Sequence, residues 1–197
     1  MEVNETNAQK INDVYSKLAA ITAADTGQIQ TAMTKTASIA SNANMEFEKT
    51  AALLAQIIET TQEAPETAGT ALKTIIARFS EVKSLREKGK NTGEDEEGES
   101  INVNNIDKAL KSVGISMQGF FAGTEGLDDV LLRLAEKWDT LDFETQRYIA
   151  TMAAGSRQQS RFIAMMSDYG RTTELVTAAE GSAGASQEQW AKTTESL

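Results

Sequence analysis

The sequence predicts an all-α fold, an elongated array or bundle of short amphipathic helices. Three observations carry that expectation. Apolar residues recur at three- and four-residue spacing over most of the chain, which is the period of one helix face. A single proline, Pro65, interrupts 197 residues, whereas Ala, Gln, Lys, Glu and Leu are abundant and favour helix. Glycines and short polar capping residues fall between the periodic segments, where helices stop and start.

Ile11, Val14, Tyr15, Leu18 and Ile21 define a first helix over about residues 6–23. Asp25 or Thr26 can cap the next, whose weak stripe is Ile29, Met33, Thr36, Ala40 and Ala43. A third runs from about Phe47 to Glu63, with Phe47, Ala51, Leu54 and Ile58 on one face. Pro65 suits the first turn of a fourth, because its missing N–H would have no helical partner there. That helix carries Leu72, Ile75, Ile76, Phe79 and Val82 and ends before Gly89.

Residues 94–99 hold five acids in six positions, which reads as a solvated, mobile loop. The expected organisation is an N-terminal helical segment, 1–88, an acidic flexible loop, 89–103, and a C-terminal helical segment, 104–197. Asn104 or Asn105 can cap a short helix through Ile106, Ala109, Leu110 and Val113. Ile115 to Met117, a Gln-Gly step, then Phe120 and Phe121 predict one small β-hairpin near 115–121. Leu127, Val130, Leu131, Leu134 and Trp138 form a strong helical stripe. Asp142 caps the following helix, Gly155 separates it from 157–168, and two short helices follow, about 171–179 and from Ser186. Leu197 stands on an unfinished helical pattern with Trp190, so the chain reads as part of a longer protein.

Composition narrows the chemistry. Apolar residues are 40% of the chain but aromatics only 6%, and alanine is common, so a thin core is expected. There is no cysteine and no histidine. Disulfides, thiolate nucleophiles, thiolate metal sites and imidazole bases are therefore excluded, which leaves carboxylates alone for magnesium or calcium. A net charge of −10 argues against stable nucleic-acid binding and against anionic membrane surfaces. The longest apolar run, at 51–55, is far short of the roughly 20 residues a membrane span needs. The first twenty residues are polar and show no secretion signal.

The candidate motifs have plain readings. Asp128 and Asp142 stand at helix starts, where carboxylates accept free backbone N–H groups. Asp129 and Asp139 lie nearby but show no catalytic pattern. Ser80 and Lys83 fit a bare Ser-x-x-Lys spacing without the companion segments that acyl enzymes carry. The Asn4-Glu5-Thr6 triplet has no meaning without secretion. No catalytic or metal-binding residue is assigned, and no cofactor is implied. Arg157 and Arg161, four apart on one helix face, suit either a grip on a partner's carboxylates or pairs with Glu144, Asp139 or Asp142. Phe162, Ile163, Met165 and Met166 read as core at helical spacing, and Trp138 and Trp190 as core or inter-helix contacts. The residues expected to matter are packing and interface residues: Trp138, Tyr148, Arg157, Arg161 and Phe162.

Three segments, taken in order, resemble the core region of siphophage and prophage tail tape-measure proteins. They are Ala64 to Phe79, Leu127 to Ala135 with Trp138, and Gln146 to Met152 running into Gly155-Ser156-Arg157-Gln158-Gln159-Ser160-Arg161-Phe162-Ile163-Ala164-Met165-Met166, with Ser182 to Ser186 behind. The resemblance covers about Ile11 to the end of the chain. It implies a non-enzymatic structural protein of the virion tail lumen, present in the bacterial host cytoplasm before assembly. It further implies that the chain's length sets tail length, that it templates the tail tube, and that it leaves ahead of the DNA. The implied partners are the tail-tube protein, tail assembly chaperones and distal tail or baseplate proteins, with self-association. Even a fully helical rod of this chain reaches only about 300 Å, so it would be one section of a ruler. The competing reading is a helical adaptor acting on a host protein, such as a trigger sensed by a bacterial defence system.

Overall fold

Helices account for most of the computed structural model, which describes residues 5–96 and 98–195. Their order is α1 (Glu5–Ile21), α2 (Thr26–Asn42), α3 (Phe47–Thr61) and α4 (Pro65–Glu87), then β1 (Thr92–Glu94) and β2 (Ser100–Asn102). The chain continues with α5 (Val103–Ser112), α6 (Gln118–Ala122), α7 (Leu127–Trp138), α8 (Phe143–Met166), α9 (Tyr169–Glu180) and α10 (Ala185–Glu195). Asn4 of the glycosylation triplet, Glu97 of the acidic run and Leu197 lie outside the described residues.

The all-α expectation holds, in its bundle form. At the centre is α3, whose residues 50–58 are buried without a break. Around it stand α2, α4, α8 and α9. Each large aliphatic side chain buried there, such as Leu53, Leu54 and Ile57, stabilises the fold by about 1.5–3 kcal/mol. The close crossing of α2 and α4 depends on small residues: the Thr36 hydroxyl donates to both Ala32 O and Gly69 O at 3.1 Å. One continuous core runs from Val14 in α1 to Ala179 in α9, so residues on both sides of the acidic run share it. The accessible surface is 9806 Å², against about 9,100 Å² for a compact monomer of this mass. Alanine does not thin the core: Ala51, Ala52 and Ala55 let neighbouring helices approach α3 closely enough for Leu and Ile to fill the gaps.

Several starts follow the sequence. Asp25 caps α2 in a reciprocal capping box with Gln28, at 2.8 and 2.9 Å. Pro65 opens α4, and Asp142 caps α8 through Thr145 N at 2.8 Å. The cap of α5 is at least two places earlier than expected: Asn102 accepts the Asn105 N–H at 3.1 Å, in place of Asn104 or Asn105.

The hairpin exists but not at 115–121. Residues 118–122 form the single-turn α6, because Ile115, Met117 and Phe120 all reach the core from there. Phe121 instead lies beneath the Arg86 guanidinium, 4.6 Å from the ring centre, and Lys83 covers Phe120 at 5.3 Å. A strict two-residue alternation would send Phe120 and Phe121 to opposite faces of a ribbon; one helical turn buries the first and shields the second.

The antiparallel pair forms in the acidic stretch, with Thr92 opposite Asn102 and Glu94 opposite Ser100. Ile101, fully buried, anchors it. Trp190 is likewise placed differently from the sequence reading: it is 72% exposed, because α10 has no apolar stripe for it to join.

Candidate functional site

The three segments that carry the family resemblance fall on α4, α7 and α8, and α8 packs against both of the others. The ring of Trp138, at the end of α7, meets Phe162 in α8 edge-on, with centroids 5.8 Å apart and planes at 67°. Both are essentially inaccessible. Edge-to-face aromatic pairs contribute about 0.5–1.5 kcal/mol beyond the area they bury.

The helix α8 is two helices joined without a loop. Gly155 takes φ 74° and ψ 171°, in the left-handed half of the map that an L side chain avoids. The turn is sharp. Gln159 Nε2 donates to Arg147 O at 3.0 Å and to Thr151 Oγ1 at 2.9 Å. In a straight helix residues 147 and 159 would stand about 18 Å apart.

The second half, 156–166, has exposed N–H groups at its start, and a distant residue satisfies one. Glu99, just before β2, accepts the Ser156 N–H at 2.7 Å and the Ser156 hydroxyl. Its carboxylate occupies the space of a side chain at 155: a Cβ there would stand 2.2 Å from Glu99 Oε2. The Ser156 hydroxyl bond, followed by the backbone bond, holds the Glu99 carboxyl below its ordinary range.

Glu99 is itself held. Its N–H donates to Asp95 Oδ1 at 2.7 Å, and Asp95 is paired with Arg78 of α4, both buried. Arg78 also reaches Met152 O at 3.3 Å and Ser100 O at 3.4 Å. So of the acidic run, read as a solvated loop, two members turn inward and tie α4, the hairpin and the corner of α8 together. The sequence did carry a signal for this. Arg78 lies on the apolar face of α4, three residues after Ile75 and four before Val82, and a buried guanidinium needs a buried acid.

Arg161 makes a two-pronged ion pair with Glu63, at 2.5 and 2.8 Å, and not with Glu144, Asp139 or Asp142. That bond draws the Glu63 carboxyl below its ordinary value. Arg157, one turn earlier on the same helix, is exposed. Glu63 was missed because it lies 98 residues from Arg161 in sequence. A similar unannounced pair joins Arg171 of α9 to Glu59 of α3 at 2.9 and 2.8 Å.

Tyr148 is 48% exposed and Phe143 67% exposed, with the Arg147 guanidinium 5.7 Å from the Phe143 ring centre. Tyr148 borders a shallow hollow of about 350 Å³ with Arg147, Met152 and Gln159. A more apolar groove, about 470 Å³, opens between α1, α2 and α3 over Tyr15, Met33, Met45 and Phe47. Burial there raises the Tyr15 phenol to about 12.

Of the carboxylates named as candidates, Asp128 and Asp142 serve the backbone, and Asp129 pairs with Lys49 at 2.7 Å. Asp142 caps its own helix. Asp128 does not cap α7, whose N-cap is Gly126; its Oδ2 accepts the Glu46 N–H at the start of α3 at 3.0 Å. Burial pushes the Asp128 carboxyl above its ordinary value, and its Oδ1 has no hydrogen-bond partner. Among the described residues no three acidic side chains are grouped to hold a metal ion, and no helix is long and apolar enough to cross a membrane.

This arrangement positions surfaces and helix corners, and its polar chemistry is spent on holding elements together. No solved structure matches the chain. Residues 1–155, about four-fifths of the sequence, match the phage-related minor tail protein family. The chain therefore belongs to the phage-related minor tail protein family, and is a structural component of a phage tail that meets other tail components.

Proposed function

We propose that this chain is a section of a tail tape-measure protein, a non-enzymatic ruler that sets tail length and templates assembly of the tube. The observation that carries the reading is the ordered set of segments on α4, α7 and α8, within a chain of the minor tail family. The core is stitched from small residues and short helices, and the corner at Gly155 lets two helices share one bundle where a single rod of 24 residues would otherwise run. The same residues laid end to end in one helix would cover more length, since each adds about 1.5 Å. In this reading the chain lies in the tail lumen after assembly and in the host cytoplasm before it. It meets the tail-tube protein, tail chaperones and distal tail or baseplate proteins, and exposed Tyr148 and Phe143 are the first contact residues to test. The net charge of −10 would keep it from clinging to DNA as it leaves.

The test is in-frame deletion of residues 104–180 from the parent gene, with tail lengths scored by electron microscopy. A ruler shortens tails by up to about 115 Å, the helical length of the deleted residues. Tails of unchanged length remove the ruler role from this section, and the absence of tails points to a scaffold.

A second reading, a helical adaptor that acts on a host protein, is favoured by one observation: the core is continuous within the chain, as in a self-standing module. Pull-down from infected cells separates the two. Recovery of tail-tube subunits or chaperones supports assembly, and recovery of host proteins alone supports the adaptor.

A further inference from the structure

The helix α10 is held unlike any other in the bundle. Residues 187–194 are all exposed, Trp190 among them, and only Ala185 and Ser186 at its start are half-buried. Helices in proteins take most of their stability from packing an apolar face rather than from propensity. Burial of an apolar face, which stabilises the other helices, is missing here.

What α10 has is Asp13. This α1 residue is 4% exposed, and its carboxylate receives three hydrogen bonds from the entry to α10. Gly184 N donates to Oδ2 at 2.9 Å, Ser186 N to Oδ1 at 2.9 Å, and the Ser186 hydroxyl also to Oδ1. Asp13 thus does for α10 what an N-cap residue does, but from another helix 171 to 173 residues away. Against the upward push of burial, these bonds hold its carboxyl below the ordinary range.

The groups around Asp13 leave it to this task. Lys10 of α1 is engaged with Glu48 of α3 at 2.5 Å. Glu180 at the end of α9, Gln9 and Ser182 complete the rim of an open cleft of about 580 Å³ beside it.

We propose that α10 is a strap latched by Asp13, which comes off α1 as a unit and unwinds while the rest of the bundle stays folded. Opening bares Asp13 and the α1 face around it and frees Trp190 to reach a surface beyond its docked position. The inference stands whether or not the chain measures tail length.

The test is native-state amide hydrogen exchange on the full chain, comparing wild type with Asp13→Asn and Asp13→Ala. Loss of a charged cap corresponds to about a five- to thirtyfold fall in protection. That fall is expected in 187–195, with protection in 51–58 of α3 unchanged. The chain has no cysteine, so a disulfide between Ala20→Cys and Gln189→Cys, which border one hollow, can be added cleanly. The link should restore α10 protection in the Asp13→Ala background. Unchanged α10 protection in Asp13→Ala overturns the latch. So does an α10 unprotected in the wild type, or a loss that spreads equally to α3.

Discussion

Replacing Gly69 by alanine sets helix propensity against packing, and the structure says which wins. Gly69 lies inside α4, where alanine is favoured over glycine by about 1 kcal/mol. Yet an added Cβ would stand 2.5 Å from Ala32 O, and 3.0 Å from Ala32 Cα and Lys35 Cβ. Two of these neighbours are backbone atoms of α2, so no rotamer change relieves the contact. The helices must separate, and the Thr36 bonds to Ala32 O and Gly69 O stretch with them. Overpacking of this kind costs about 1–3 kcal/mol, and a backbone clash belongs at the upper end. The net expectation is a loss of about 1–2 kcal/mol, or a fall in Tm of about 2–8 °C for a chain of this size. Gly170→Ala is the control. Gly170 is also helical, in α9, but its Cβ would meet only Asp168 Oδ1 at an ordinary 3.5 Å. That variant should gain about 0.5–1 kcal/mol and melt about 1–4 °C higher. Thermal melts by far-UV circular dichroism, with calorimetry on the same samples, give both values. If Gly69→Ala melts at or above Gly170→Ala, the close α2–α4 crossing is not as described.

The remaining predictions concern the α4–α7–α8 junction and the buried acids. Phe162→Ala should cost about 3–5 kcal/mol and red-shift the emission of Trp138, read in a Trp190→Phe background. Glu99→Ala should cost about 1–2 kcal/mol through loss of the cap on 156–166, whereas Arg161→Met, breaking a partly exposed pair, should cost no more than about 1 kcal/mol, less in high salt. The Glu99 carboxyl is held low in the fold, so its contribution is present above its ordinary value and is lost as pH falls through the lowered one. Urea midpoints from neutral to acid pH should therefore fall less steeply in Glu99→Gln than in wild type. Asp128 has the opposite sign. Its folded value is raised, so ionising it costs stability as pH climbs from the ordinary carboxylate value through the raised one. Asp128→Asn should gain on wild type across that window; parallel curves would show that the buried carboxylate carries no such cost.

How far the chain could be read without its fold depends on the range of the interaction concerned. The helical period of Leu127, Val130, Leu131, Leu134 and Trp138 is local, and all five are buried as expected. The Asp25 and Asp142 caps are also local, since each depends on a residue three places on, and the break at Gly155 is announced by the glycine itself, although distant partners hold the corner. The burial of Trp138 and Phe162 followed from spacing alone, although their contact did not. Trp190 went the other way, because one aromatic at helical spacing does not make a stripe.

The stretch 94–99 shows why composition misleads at short range. Five acids repel one another on average, but Arg78 lies 17 residues from Asp95 in sequence and beside it in space, and the Ser156 amide is 57 residues from Glu99. A hairpin stabilised by such partners has no signature within its own residues. The turn at 115–121 failed for a related reason: the cations of α4 that shelter the two phenylalanines are more than thirty residues upstream.

Sequence by itself determined the class of this protein: all helical, free of imidazole and thiol chemistry, acidic, and segmented at its glycines, because helix period, capping and composition are properties of near neighbours. Tertiary structure alone decided which acids are buried, which arginine faces which glutamate, where the chain forms its β-ribbon, and why Gly69 and Gly170 are not equivalent. Those outcomes depend on atoms brought within a few ångströms by packing, and distance along the chain carries no record of them.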